Sequence, residues 1–483
     1  MAGSFFFYDL ETSGIDPRNA RIMQFAGQRT DMNLNLIGDP VNYLIKMTAD
    51  VLPVPDAVLI TGITPQHTVS EGIIEPEFLK LFYSEVVTQD TIFVGYNSIR
   101  FDDEFMRFLN YRNFYDAYEW QWKNGCSRWD LLDVVRMTRA LRPEGILWPF
   151  DSAGKATNRL ELLTSINKLS HMHAHDALSD VLATIDLARL IKIKQPELFN
   201  YLLNSRSKQA VKQLVQKATP FVYTSGRFSS KFAHTTVAVQ LAKHNTQDAA
   251  LVYDLRYDPA PFLKMNVESL IEAWKYHKDP EAVRLPVKTL KYNRCPAIAP
   301  LGVIKDKATQ ERLDLDLINV TRHLEALKQN QSAFTQKLAE AVSIMDKERE
   351  KQQMTTIDNE LTVDERLYDG FIDKVDQTVM SEVRTMEPRR ISDLNNRFKD
   401  DRLKKLLPLY KARNYRSLLD SEEVANWESF IAARLFSGDN NSQLSRYFKR
   451  LDELSKTKLT KEQDYLISEL RLYGESLMPA DLT

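Results

Sequence analysis

The chain has 483 residues, 43% of them hydrophobic and 27% charged, enough for two to four domains with substantial cores. Its formal net charge is −2, it has only two cysteines and no C-x-x-C, and no apolar run nears the roughly 18–20 residues of a membrane span. A disulfide framework, a zinc ribbon and a transmembrane helix are therefore excluded, and the two thiols, Cys126 and Cys295, fit a reducing compartment. The N-terminus has no basic stretch followed by an apolar run, so the expectation is an unexported, cytoplasmic protein with no membrane attachment.

The first element, Ser4–Gly14, carries a run of aromatics with the composition of a strand buried on both faces. It ends in Asp9 and Glu11, which period-2 geometry puts on one face, roughly 6–7 Å apart along the strand. Two like charges so placed repel unless a hard cation such as Mg²⁺ or Mn²⁺ lies between them. The bland alternative is a strand end with two solvated acids. Ile22–Arg29 and Val41–Lys46 read as further strands, with Asn33–Asp39 as the turn between them. Leu59–Pro65 reads as a Gly/Pro-punctuated loop, Glu77–Val87 as an amphipathic helix and Thr91–Tyr96 as a short apolar strand.

A second acidic site follows in Gly95–Phe105, where a strand ends near Asn97 and a helix begins near Phe101. This places Asp102 at a helix start beside strand ends, where open α/β sheets hold ligands. An Asp in that position is otherwise a cap, and Asp103 and Glu104 read as caps or dipole partners. Between Phe108 and Trp129 aromatic residues interleave with cations, the composition that stacks unpaired bases and neutralises phosphates. Tyr118 and Trp122, at i and i+4, are expected to share a helical face. Helical periodicity returns at Asp130–Leu141, Arg159–Asn167 and Asp176–Lys194. Around the last of these lies the third site, His171–Val181. His175 and Asp180 are about 140° apart on a regular helix, so they meet only if His175 sits on the entry loop.

From Gln195 to Pro300 short β-rich segments broken by Pro and Gly suggest a small barrel with one helix near Val267–Tyr276. From Thr309 onward the pattern is helical, with Thr355–Asn359 as a linker. Helix starts are expected at Ser421–Glu423 and at the capping box Thr460–Gln463. Charge is unevenly divided. Residues 1–190 hold 17 Lys+Arg against 25 Asp+Glu, residues 191–300 hold 17 against 8, and residues 301–483 hold 30 against 33. A net +9 block between acidic ones suggests a polyanionic partner held by the middle of the chain.

Asp9, Glu11, Asp102, His175 and Asp180, in this order and these settings, resemble the DEDDh exonucleases, the superfamily of polymerase proofreading subunits. Tyr8–Gly14, Leu59–Gln66, Gly95–Glu104, Ser127–Arg136, Arg142–Pro149, His175–Val181 and Leu367–Phe371 together resemble the bacterial exodeoxyribonuclease I family over nearly the full length. The resemblance implies an α/β fold: a ribonuclease H-like exonuclease domain with a mixed sheet over 1–194. A small Src-homology-type β-barrel with a helical extension over 195–354 and an all-α domain over 355–483 would follow. It implies processive 3′→5′ degradation of single-stranded DNA to 5′-mononucleotides, in repair and recombination. Two Mg²⁺ ions, replaceable by Mn²⁺, would be held by Asp9, Glu11, Asp180 and Asp102, with His175 as general base. Arg107, Tyr118, Trp122, Arg136 and Arg159 would contact the strand. Arg227, Lys231 and Phe232 in the barrel and Lys411 and Arg413 in the helical domain are further candidates. The partners implied are single-stranded DNA with a free 3′ end and the acidic tail of a single-strand DNA-binding protein, with the chain a monomer. An exoribonuclease of the same superfamily, or a non-catalytic single-strand-binding protein, are the alternatives.

Overall fold

The computed structural model describes residues 3–169, 176–275, 278–279, 282–357, 362–438 and 441–478. The chain divides into two compact units. The first comprises Met1–Ser127, Met172–Leu182 and Leu361–Thr483, the second Arg128–His171 and Ala183–Glu360.

In the first unit β1 (Ser4–Thr12) lies between β2 (Ile22–Thr30) and β4 (Thr91–Gly95), and β3 (Leu36–Leu44) pairs outside β2. β1 is antiparallel to β2, with Phe5 opposite Thr30 and Glu11 opposite Gln24, and parallel to β4, with Ser4 opposite Thr91 and Phe7 opposite Val94. This is the mixed sheet expected. Phe5, Phe6, Phe7 and Tyr8 are all buried, so both faces of β1 are covered. Phe6, Tyr8 and Leu10 enter a core with Phe25, Phe78, Phe82, Phe93 and Trp120, and Asp9 and Glu11 continue the opposite row set by Phe5 and Phe7.

Several local readings need correction. β3 begins at Leu36 because the turn is tighter than Asn33–Asp39: the Asp31 carboxylate accepts the Asn33 and Asn35 amides at 2.8 Å, and Leu34 takes a left-handed φ of 69°. Leu59–Pro65 is two helix ends, not a loop. Pro55–Thr61 stops at Gly62 (φ 71°), and Thr64 caps Pro65–Glu71. Pro at a first helical position and Gly just past a last one punctuate helices as well as loops. Tyr118 and Trp122 do not share a helical face, because only a single 3-10 turn, Glu119–Gln121, separates them.

The C-terminal helices of this unit pack on the nuclease segment. Leu367, Val379, Leu394, Leu403 and Tyr410 share a core with Phe108, Tyr111 and Phe114, and Leu451, Ile467 and Leu470 close over Val58. The expected capping box Thr460–Gln463 is formed, and a second one, Asp420–Glu423, starts the helix Ser421–Leu435.

β5 (Ser127–Asp130) carries the chain from the first unit into the second. There the helix Leu131–Leu141 is followed by an antiparallel sheet of β6 (Phe221–Thr224), β7 (Thr235–Lys243), β8 (Ala249–Asp254), β9 (Val287–Lys291) and β10 (Ala297–Pro300). Its order is β10-β6-β7-β8-β9. Its core includes Val211, Phe221, Ala238, Val252, Leu290 and Ile298. Helices Leu317–Gln329 and Gln331–Ile357 complete the unit, the latter running through part of the expected linker. Among the described residues no helix is long and apolar enough to cross a membrane.

Candidate active site

The parallel pairing of β1 with β4 stops at Phe7 and Val94, so Asp9 and Glu11 run past the carboxyl end of β4. Asn97, with φ 70°, turns the chain there, and a single 3-10 turn leads into the helix Asp102–Arg112. Asp102 is thereby delivered to the strand ends, beside Asp9. The adjacent Asp103 is no solvated cap. It is buried and accepts the Tyr8 hydroxyl at 2.5 Å, pinning the helix start to β1 from the opposite face. Between Glu11 and Thr12 the β1–β2 register slips, a bulge of the kind that re-aims side chains beside active sites.

The helix Ala177–Lys194 brings Asp180 in its first turn. Asp176 fixes that turn, accepting the Ser179 amide at 3.0 Å and an amide hydrogen of Gln24, the β2 residue opposite Glu11. Ligand oxygens of Asp9, Glu11 and Asp180 all lie within 4.8 Å of one another. His175, with His171 and His173, lies outside the described residues.

Electrostatics shows what this crowd lacks. Burial first, then Asp102, Asp180 and Asp176, hold the Asp9 carboxyl well above the usual carboxylate range. Burial, then Asp9, Asp180 and Asp176, push Glu11 up to about 9. Among the described residues no cationic side chain is a cause of either shift. Hard oxygen donors packed this closely, with two carboxyls raised by burial and by one another, fit a divalent cation.

The expected strand contacts differ in setting. In the first unit the Arg107 guanidinium is buried, pairs with Glu104 at 2.6 Å and Gln121 at 3.1 Å, and sits 5.2 Å over the Tyr118 ring. Trp122 is 63% exposed. In the second unit Arg136 is mostly buried and pairs with Asp133 at 2.7 Å, while Arg159 is largely exposed and pairs with Glu161. Arg227 is exposed, and Lys231 and Arg256 flank the Phe232 ring.

Two candidates are corrected. Lys411 is buried against Glu423 at 2.7 Å, and Arg413 is buried between Asp50 at 2.8 Å and Asp364. Both serve the packing of the helical segment rather than offering charge to a strand. Conversely, residue-level reading assigned no role to Tyr368 and Phe371. Tyr368 donates to Glu104 and stands edge-on to Phe108, and Phe371 is fully exposed. With Tyr118, Gln377 and Met380 they line a cavity of about 180 Å³. A bare phenylalanine inside Leu367–Phe371 was the available signal.

Residues 6–188 match a family described as exonuclease, residues 206–343 the exonuclease I SH3-like domain and residues 361–477 the exonuclease I C-terminal domain. The chain is 39% identical over 440 residues to exodeoxyribonuclease I of Haemophilus influenzae, covering 89% of this chain and 90% of the relative. The chain belongs to the exodeoxyribonuclease I family. Its structure is similar to exonuclease I from Methylocaldum szegediense, with a TM-score of 0.91 at 39% identity over 99% of this chain and 100% of that one. It is also similar to Escherichia coli exonuclease I in complex with a dA16 oligonucleotide, with a TM-score of 0.90 at 35% identity over 99% and 100%. As an exodeoxyribonuclease I family member the chain is a metal-dependent exonuclease, built as a ribonuclease H-like domain, an SH3-like domain and an all-α C-terminal domain.

Proposed function

We propose that this chain removes 5′-mononucleotides processively from the free 3′ end of single-stranded DNA, in repair and recombination. One observation carries the reading most: the close cluster of carboxylates at the end of β1, two of them raised by burial and mutual repulsion, beside which Asp102 is delivered. Asp9, Glu11 and Asp180 would hold one divalent cation, and Asp9 with Asp102 a second, with Mg²⁺ the natural ion and Mn²⁺ able to replace it. Such ions, when bound, neutralise the carboxylates and the phosphodiester and make water nucleophilic at neutral pH.

The chain's own residues supply the rest. His175, on the chain entering the Asp180 helix, would take the proton of the attacking water. His175→Ala is expected to lower kcat about 10²–10⁴-fold, with KM little changed. Tyr118, Trp122 and Phe371 offer faces for unpaired bases, with Arg107 holding the Tyr118 ring, and Arg136 and Arg159 would neutralise phosphates. The modules proposed are 1–194 for chemistry, 195–354 for holding the strand and 355–483 for enclosing it. The net +9 of residues 191–300 supports retention of a polyanion, and of the acidic tail of a single-strand DNA-binding protein, by a monomer acting in the cytoplasm.

The deciding experiment is digestion of 3′- and 5′-labelled single and double strands, DNA and RNA, with Mg²⁺ or EDTA. Mononucleotide release from single-stranded DNA 3′ ends, abolished by EDTA, is expected. Preference for RNA, attack from the 5′ end, or equal digestion of duplex would overturn the reading.

A further inference from the structure

Gly226 sits in the loop that joins β6 to β7, and its backbone is not left-handed, so the turn itself does not demand glycine. What crowds the position is a neighbour. A Cβ at this position would lie 3.0 Å from Arg136 Nη1, 3.1 Å from Cζ and 3.1 Å from Nη2. Three atoms of one guanidinium at nearly equal distance mean that its plane lies flat against the Gly226 backbone.

The backbone that carries Arg136 cannot readily give way. The side chain projects from the helix Leu131–Leu141, its Nη1 donates to Asp133 at 2.7 Å, and its buried Nε has no hydrogen-bond partner among the described residues. The loop is equally fixed. The Ser225 amide donates to the His234 carbonyl at 2.9 Å, the Phe228 amide to the Ser225 carbonyl at 3.0 Å, and the His234 amide to the Ser229 carbonyl at 3.0 Å. The His234 ring bonds the Phe228 carbonyl through Nδ1 at 2.8 Å and lies in the field of Arg136. Asp133 takes up Nη1, while Nη2 has no hydrogen-bond partner among the described residues and remains a donor for a ligand.

We propose that Gly226 is a positioning residue for strand binding: the barrel loop presents a bare backbone face that sets the Arg136 guanidinium, held at its other side by Asp133, in the orientation that takes a phosphate. This rests on the assignment of Arg136 to the strand. It gives the barrel a role besides contacts of its own: it aims an arginine that belongs to the nuclease segment. A methyl group at 226 would push the guanidinium off this face and away from Asp133, because neither the helix nor the loop is free to move.

The test is a double-mutant cycle on the full chain, read as binding of a fluorescent oligothymidylate in EDTA across a salt series, with melting curves to verify folding. Arg136→Ala is expected to weaken binding about tenfold, the worth of one charge-assisted phosphate contact. It should also flatten the log Kd against log salt slope by about 0.7. Gly226→Ala should reproduce most of that loss and the same change in slope, raise KM and leave kcat at saturating DNA unchanged. In the Arg136→Ala background it should add nothing. In the Arg136→Lys background, where no planar group meets the methyl, it should also add nothing. Wild-type binding by Arg136→Ala would overturn the strand role of Arg136 and the inference with it. A loss in Arg136→Ala with none in Gly226→Ala, or losses that simply add in the double variant, would overturn the inference alone.

Discussion

The first unit holds two clusters of acidic side chains, and they behave in opposite ways. At the end of β1, Asp9, Glu11 and Asp180 crowd together with Asp102 beside them, and burial and mutual repulsion raise the pKa of Asp9 and Glu11. Elsewhere in the unit, Asp50 and Asp364 meet three guanidinium groups, from Arg21, Arg413 and Arg434, all with side chains no more than 5% exposed. Burial alone would raise those carboxyls too. Arg413, Arg21 and Arg434 more than offset it, holding Asp50 far below the usual carboxylate range and Asp364 at about 2. Asp50 and Asp364 are the deeper pair, with Asp9 and Asp180 only half-buried, so depth alone would raise the joint's carboxyls more; charge balance reverses that order. Where the chain supplies its own cations, acids become a joint, here tying strand β2 and the Asp50 segment to helices of the C-terminal domain. Where the described residues bring no cation to raised carboxyls, as at Asp9 and Glu11, the acids suit ions from outside.

The same chemical change, carboxylate to amide, should therefore have opposite consequences in the two places. Glu11→Gln removes a carboxyl that must take up a proton on folding without metal and that would hold the ion with it. Turnover is expected to fall about 10³-fold or more with Mg²⁺ present, while the melting temperature in EDTA rises above wild type. Asp364→Asn leaves three buried guanidinium groups on one carboxylate. It should cost about 3–5 kcal/mol of stability, read by denaturant unfolding, with kcat per folded molecule close to wild type. A stability loss in Glu11→Gln matching that of Asp364→Asn would show that both clusters are joints.

This contrast was only half legible in the sequence. Asp9 and Glu11 announce themselves because strand alternation fixes their shared face, and an aromatic run before them marks a central strand. Asp102 and Asp180 follow from helix starts placed beside strand ends. The joint was illegible, since its members are separated by up to several hundred positions and no local period links Arg21 and Asp50 to Asp364. Arg413 consequently read as a strand contact, although burial and two carboxylates decide its role. Arg107 shows the same limit: its spacing puts it near Tyr118, but only packing reveals that Glu104 and Gln121 already occupy its guanidinium. Leu59–Pro65 was misread for a local reason, because Gly and Pro mark helix ends as well as loops. Gly226 was visible as a residue, but a close approach from another element cannot be seen in a one-dimensional pattern.

The smallest expected effect is also the most discriminating, because its sign differs between the clusters. Without metal, Glu11 keeps its proton in the folded chain up to about pH 9, against an ordinary value of 4.5 when unfolded. Between those values the folded state binds more protons than the unfolded one, so this contribution is fully present below pH 4.5 and is lost as pH rises through 9. Asp364 runs the other way. Its folded value of about 2 lies under the ordinary 3.8, so its contribution is present above 3.8 and is lost as pH falls through 2. A divalent cation that holds the first cluster ionised should abolish the alkaline slope and leave the acid limb untouched. The melting temperature of the wild type in EDTA should thus drift down by a few degrees between about pH 5 and 9. Millimolar Mg²⁺ should remove the drift, so that Mg²⁺ stabilises more at pH 9 than at pH 6. Glu11→Gln should flatten the alkaline side without metal, and Asp364→Asn should shrink only the acid limb. Parallel profiles with and without Mg²⁺ would mean that the carboxylates of β1 find their counter-charge within the protein, and the distinction between joint and site would fall.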